Sequence, residues 1–546
     1  MQIKSYSIVL SMIFLFMASM TWAENMPLPE AAPESAGFSP ERLKRLETTM
    51  HGFVDEGELS GIVTCVARKG RMVHQSVYGK RDIENNKPMQ MDTIFSLASM
   101  TKPVTGVAMM ILFEEGKWHP ADPLVMHFPE FKDLMVYAGA DTYGQDIMEI
   151  PRRAPTVGDL MTHTAGFSYG FFGGSPVDEM YKKVEPMEVD SMDEFIKRMA
   201  KLPLMFHPGE AWVYSVAADI QGALIERLSG MSLADFMRTR IFEPLGMKDT
   251  AFFVPKEKLD RLATVYTADE KGLTPIPIEA GVTTQPGFSS GGGGLYSTAG
   301  DYLRFAQMLI NGGELDGVRL LAPGTVKLMC SNKLSQKLLN GGYGIIYQQI
   351  KPGFGFGYDV AVFTDPAFMG SATGKGTYLW SGAAGTWFWN DPTHDMVFIG
   401  MIARLGGLPE PNIENLSRTL VHQALVQPER RKVNMDNDRY LWLVTSKPDP
   451  KRVEEYNKWY DQHVETFFKF PGLKKVVRNR CFRPMQNPDS CPEYVVIYEF
   501  DTKEDLEAFL TSDAAEVAKK QYEEEWNGLG EFIWSGWYEP VKKLER

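Results

Sequence analysis

A serine hydroxyl is a weak nucleophile until a neighbouring group takes its proton. In Ser99-Met100-Thr101-Lys102 the chain places a lysine three residues after a serine. At a helix start this spacing puts both side chains on one face, and the helix N-terminus adds positive potential beside a developing oxyanion. Lys102 serves as the base only if its surroundings favour the neutral amine. About two Ser-x-x-Lys matches are expected by chance at this length, so the setting must decide, and a surface lysine behind a helix cap is the alternative. Two more segments carry chemistry. Tyr214-Ser215-Val216 follows a Pro208-Gly209 turn and heads an apolar helix; Tyr214 either packs in the core or aims its hydroxyl at Ser99 as a proton relay. Trp380-Ser381-Gly382-Ala383 reads as a strand, which either is plain sheet packing or lends a backbone N–H to an oxyanion.

These residues need elements to hold them. Gly61 to Arg68 and Met72 to Tyr78 are β-rich runs joined by Lys69-Gly70, a hairpin signal. Apolar residues at 104, 107, 108, 111 and 112 predict a helix from near Ser99 to Gly116. From about 155 to 265 the pattern is mostly helical, with caps at Ser191-x-x-Glu194 and Ser232-x-x-Asp235. A capped helix, Thr298 to Leu309, follows the glycine run 291–294; strands are expected at Thr377–Ser381, Thr386–Asn390 and Met396–Ala403, then a helix over Ile413–Leu425. The order predicts an α+β domain: an antiparallel sheet flanked by helices, with an inserted helical domain. The polar stretch 427–438 reads as a linker between a domain at 24–426 and one at 439–546. In the second, strands at Tyr440–Ser446, Leu473–Phe482, Glu493–Phe500 and Glu531–Pro540 alternate with helices at Val453–Phe468 and Lys503–Trp526, the βαββαβ order of a ferredoxin-like fold.

Taken together, the Ser-x-x-Lys, the Tyr-x-x and the glycine-containing strand resemble the serine β-lactamase and penicillin-binding-protein family, in its class C branch with its esterase relatives. Leu160-Met161-Thr162-His163-Thr164-Ala165-Gly166, Pro208-Gly209-Glu210, Phe242-x-Pro-Leu-Gly-Met247 and Gly293-Gly294-Leu-x-Ser-Thr-Ala-x-Asp301 have counterparts there, and the likeness covers about residues 30 to 425. It implies Ser99 as nucleophile, Lys102 and Tyr214 sharing the base role, and the N–H groups of Ser99 and Ala383 as the oxyanion hole. Trp380, Ser381 and Gly382 would line the substrate site. This chain departs from the lactamases twice. Trp380-Ser381-Gly382 stands where they carry Lys-Thr-Gly, and Tyr214-Ser215-Val216 where they carry Tyr-x-Asn. The missing lysine argues against β-lactams and for an ester. A linear or peptidoglycan peptide, acyl transfer to an alcohol, and a non-catalytic binding protein are the alternatives.

Competing motifs carry less. Ser168 and Ser289 each sit in Gly-x-Ser-x-Gly, but neither has the strand before and the helix after that an α/β-hydrolase nucleophile needs. His163 reads as a structural hydrogen-bonder. The histidines show no metal spacing, so no metal or organic cofactor is implied. The glycine run 291–294 has no following lysine to make a phosphate loop and reads instead as backbone passing near the site. Cys65 and Cys330 are expected as buried thiols; Cys481 and Cys491 flank a proline-rich loop that would allow a disulfide.

The first 23 residues have Lys4, an apolar run from Ile8 to Ala18 and small residues at Thr21 and Ala23, the pattern of a signal peptide for a periplasmic or secreted protein. Its loss takes the formal charge from −13 to −14. Such an acidic chain without a basic stripe is a poor partner for nucleic acid, and after cleavage no membrane insertion is expected. The expected partner is a small ester, amide or short peptide. The second domain resembles dimeric α+β-barrel proteins, with Trp459-Tyr460-Asp461-Gln462-His463 on its first helix; this implies a homodimerisation module, with ligand binding at His463 as the lesser alternative.

Overall fold

The computed structural model describes residues 27–426 and 440–538, apart from short segments at 171–173, 270–271, 279, 342–343, 346–352, 408, 410, 468, 471, 481–492, 501–502 and 527. The signal-peptide, linker and Cys481–Cys491 expectations lie outside the described residues. The chain divides into two compact units, Met1–Glu429 and Arg430–Arg546.

The first unit opens with helix α1 (Pro40–Asp55), capped by Ser39 Oγ, which accepts from Arg42 N. It continues with strands β1 (Gly61–Arg68), β2 (Arg71–Asp82) and β3 (Lys87–Pro88), helix α2 (Thr101–Glu114), and a largely helical stretch ending in α3 (Ala217–Ser229). Helix α4 (Ala299–Ile310) follows, then β4 (Phe354–Phe356), β5 (Ala361–Phe363), β6 (Tyr378–Gly382), β7 (Thr386–Asp391), β8 (Met396–Met401) and helix α5 (Ile413–Ala424). The strands form one antiparallel sheet in the order β4-β5-β6-β7-β8-β1-β2-β3. The N-terminal hairpin thus joins the C-terminal strands edge to edge, with Val63 opposite Met401.

Both faces of this sheet are covered. Along β1, Val63, Cys65 and Ala67 face one core with α2, α3 and α4, while Ile62 and Val66 face a second core with α1 and α5. Strands buried on both sides read as unbroken apolar runs, which is why β7 and β8 are buried at every position. Trp387 and Trp389 both donate their indole N–H to Ser417 Oγ, pinning α5 to its face at 3.1 and 3.2 Å. Helix α2 differs from its one-faced sequence pattern, since every residue from Thr101 to Leu112 is buried, Lys102 included. A helix enclosed on all sides belongs in the middle of a domain. The strands at 354–356 and 361–363 have no strong pattern in the sequence and form the far edge of the sheet. Cys65 is a buried free thiol, pushed up to about 12 by burial; Cys330 is free and half-buried.

The second unit has β9 (Tyr440–Pro448), helix α6 (Val453–Phe467), β10 (Leu473–Arg480), β11 (Tyr494–Phe500), helices α7 (Lys503–Leu510) and α8 (Asp513–Glu525), and β12 (Gly530–Tyr538). Its antiparallel sheet runs β10-β11-β9-β12, the strand order of a ferredoxin-like fold. The single helix expected over 503–526 is two. Ser512 breaks it by capping α8, its Oγ accepting from Ala515 N at 3.2 Å. His463 packs on Trp459 with ring centroids 4.2 Å apart, and burial holds it neutral by lowering its pKa to about 4. Among the described residues no helix is long and apolar enough to cross a membrane.

Candidate active site

The chain reaches the site through Ala98, whose φ is +45°. A left-handed conformation at a residue with a Cβ costs about 1–3 kcal/mol, so the surroundings must hold it. Leu97 N donates to Leu295 O at 2.9 Å, Thr386 Oγ1 donates to Leu97 O at 3.0 Å, and Tyr302 OH donates to Met100 O at 2.9 Å. This clamp sets Ser99 on a 3-10 turn, Ala98–Met100, that runs directly into α2. Its Oγ accepts from Tyr214 OH at 2.6 Å and from Lys102 Nζ at 3.2 Å.

Lys102 has no solvent-exposed surface. Besides Ser99 it donates to Gly292 O at 2.7 Å, and it lies 4.6 and 5.2 Å from the ring centroids of Tyr214 and Tyr169, a cation–π arrangement. The glycine run positions that carbonyl. Thr105 Oγ1 donates to Gly291 O at 2.7 Å, while Asp219 Oδ1 on α3 accepts from Ser290 Oγ at 2.5 Å and Gly292 N at 3.0 Å. A Cβ on Gly292 would fall 2.5 Å from Asp219 Oδ2, so the loop passes between α2 and α3 only as glycine.

Burial raises the pKa of Asp219 and pushes that of Asp359 up to about 8, each opposed by the charge of Lys102. Burial, with Asp219, Tyr214 and Asp359 nearby, holds Tyr169 as a neutral phenol. His163 is kept well below the usual histidine range by burial and then by Lys102. It is a neutral ring at φ +55°, paired through Nδ1 with Ser215 Oγ at 3.2 Å and packed 5.1 Å from Tyr214. It is a structural hydrogen-bonder, as the sequence suggested, and it supports the Tyr214 segment.

The third segment completes the cleft. Trp380, Ser381, Gly382 and Ala383 line the same space of about 680 Å³ as Ser99 and Tyr214. A Cβ on Gly382 would meet Leu97 O at 2.1 Å, so glycine is what lets β6 lie against the turn that carries Ser99. The Trp380 ring stands 5.5 Å from that of Tyr214, an aromatic wall where the lactamase pattern has a cation. Six of the seven residues singled out from the sequence therefore line one cleft, and the seventh, Lys102, lies buried behind Ser99. Sequence reasoning missed Tyr169, Asp219 and Glu414. Glu414 begins α5 and lines the cleft; burial raises its pKa, opposed by Arg418 and a hydrogen bond with Ser381. Their only signals were an aromatic inside a decoy motif and acids next to helix starts. Ser168 is fully buried, donating to Asp178 Oδ1 at 2.5 Å, and Ser289 is buried, accepting from Gln285 Nε2 at 2.9 Å.

Comparison with known proteins agrees with this fold. Residues 46–423 match the family described as beta-lactamase, and residues 439–528 match a domain of unknown function, DUF4286. An uncharacterized protein of Mycobacterium tuberculosis is 38% identical over 361 residues, 65% of this chain and 88% of that protein. The esterase EstB of Burkholderia gladioli is 31% identical over 366 residues, 63% of this chain and 86% of EstB. Among solved structures, EstCE1, a hydrolase with promiscuous acyltransferase activity, shares the fold with a TM-score of 0.59 at 24% identity, over 71% of this chain and 99% of that one. The chain belongs to the beta-lactamase family of serine hydrolases.

Proposed function

We propose that this protein is a carboxylesterase acting through an acyl-enzyme on Ser99. The observation that carries the proposal is the pair of donors on Ser99 Oγ, Tyr214 OH at 2.6 Å and Lys102 Nζ at 3.2 Å, in a cleft walled by Trp380. With one site of the Tyr214–Lys102 pair unprotonated, Ser99 Oγ attacks the ester carbonyl as its proton passes to that site. The N–H groups of Ser99 and Ala383 receive the oxyanion, and the C–O bond breaks as the proton moves to the departing alcohol. Water then attacks the acyl group, gives its proton to the same pair, and releases the acid and free Ser99. An ester fits better than a β-lactam. The aromatic face of Trp380 offers no charge to a lactam carboxylate, and Val216 offers no amide to an acylamido side chain. The similarity to EstB supports the same reading.

The test is hydrolysis of a short-chain p-nitrophenyl ester by the mature protein and by Ser99→Ala. Turnover confined to the wild type supports the proposal. Equal turnover in both removes Ser99 from the reaction, and amine release from peptides without ester turnover replaces the esterase reading by a peptidase one. We further propose export, on residues 1–23, and homodimerisation through the second unit, on its likeness to dimeric α+β barrels. Retention in the cytoplasm and a monomeric mass in solution would overturn these two.

A further inference from the structure

The proposed chemistry leaves unused a cluster at the opposite end of β7, where Asp391 Oδ2, His394 Nδ1 and His422 Nε2 lie within 4.8 Å of one another. The two ring nitrogens approach the same carboxylate oxygen, at 2.8 Å from His394 and 2.9 Å from His422. The hydrogens at His422 do not balance for a neutral ring. Its Nδ1 is 2.8 Å from Arg418 O, and a carbonyl only accepts, so that nitrogen holds the hydrogen. Nε2 then has a lone pair, aimed at a carboxylate oxygen that also has only lone pairs. A cation between them resolves the contact, and two imidazoles and a carboxylate are borderline ligands of the kind zinc takes.

The supports are those of a metal site. His422 is oriented by its own N–H on the Arg418 carbonyl, and the carboxylate of Asp391 is fixed by Gly374 N at 2.8 Å and Thr393 N at 2.9 Å. Asp391 is fully buried, whereas the His394 side chain is 23% exposed, which leaves one side open for a water ligand. Zinc bonds of about 2.0–2.1 Å imply ligand separations of roughly 3.3 Å, so binding lengthens the two nitrogen–oxygen contacts by roughly 0.5 Å. We propose that Asp391, His394 and His422 form a binding site for a divalent transition metal of the zinc type. The ion ties the end of β7 and the following turn to the last turn of α5. With about 3.3 Å per strand residue, the five steps from Thr386 to Asp391 put it roughly 17 Å along β7 from the end that clamps Leu97. It is a structural site, apart from the ester cleft.

The experiment uses the mature chain with any affinity tag removed and stripped with a chelator. Calorimetric titration with zinc chloride is expected to show one saturable ion per chain, and cobalt to give the visible absorption of a low-coordinate site. His394→Ala, a change in a partly exposed turn, is expected to weaken zinc binding at least about 10-fold and to abolish zinc's rise in melting temperature, with ester turnover unchanged. Should His394→Ala not fold, His394→Gln takes its place. No saturable zinc uptake by the wild type overturns the proposal, leaving His422 as an imidazolium paired with Asp391; so does an unchanged affinity in the folded variant.

Discussion

Two serines of this unit sit in motifs that hydrolases use, and their surroundings make opposite things of them. Ser99 Oγ accepts from two side chains, Tyr214 and Lys102, and borders a cleft. Ser168 Oγ donates its hydrogen to Asp178 at 2.5 Å, accepts from Gly170 N at 3.0 Å, and is fully buried. A hydroxyl whose hydrogen is committed to a carboxylate inside the core closes a turn; one whose oxygen accepts from a phenol and an amine at an accessible surface is stabilised as the alkoxide it becomes once its proton is taken. The difference lies in the direction of the hydrogen bonds, which no short motif encodes.

The largest expected effect separates the two directly. Ser99→Ala should lower ester turnover by at least roughly 10³-fold with little change in melting temperature, whereas Ser168→Ala should leave kcat/KM within a few-fold. The reverse result in the p-nitrophenyl assay would exchange their roles. Next, Tyr214→Phe and Lys102→Met each remove one donor on Ser99 and should lower kcat by roughly 10²–10⁴-fold; a variant that changes only KM would show that its side chain binds substrate instead. Smaller again, Ser168→Ala leaves Asp178 with a lost partner and should reduce unfolding free energy by about 1–3 kcal/mol in a urea titration. A stability equal to wild type would mean the buried pair contributes nothing.

A final test concerns a buried carboxyl on the Ser99 side. Asp359 holds its proton up to about pH 8 because it is buried. Its ordinary pKa is near 3.9, so the folded chain binds this proton more tightly than the unfolded one. Its contribution to stability is then full at low pH and declines as pH rises from about 4 to about 8. Asp359→Asn stays neutral throughout and suits the left-handed backbone at φ +57°. Relative to wild type, its melting temperature should be higher at pH 8 than at pH 5; the opposite trend would place a charged Asp359 in the fold.

Much of this was legible beforehand. The hairpin at 61–78, the strands near 378–382, 386–391 and 396–401, and the βαββαβ order of the second unit follow from apolar runs and turn residues, which act locally. Ser99, Lys102, Tyr214 and the Trp380–Ala383 strand were legible because reactive side chains here sit next to element boundaries, and boundaries leave marks in sequence. The break at Ser512 was missed because one capping serine outweighs a helical pattern that runs through it. Asp219 and Gly292 were missed as a pair because their contact joins residues 73 apart.

The sequence by itself determined most of the strands and helices, and which side chains could act on a carbonyl, since both depend on residue type and short spacing. The tertiary structure alone decided that β1 and β8 are neighbours, that Lys102 is enclosed, that Ser99 rather than Ser168 is approached only by donors, and that Asp391 meets His422. Those outcomes depend on packing between residues distant in the chain, where burial and the direction of each hydrogen bond are fixed by the fold as a whole.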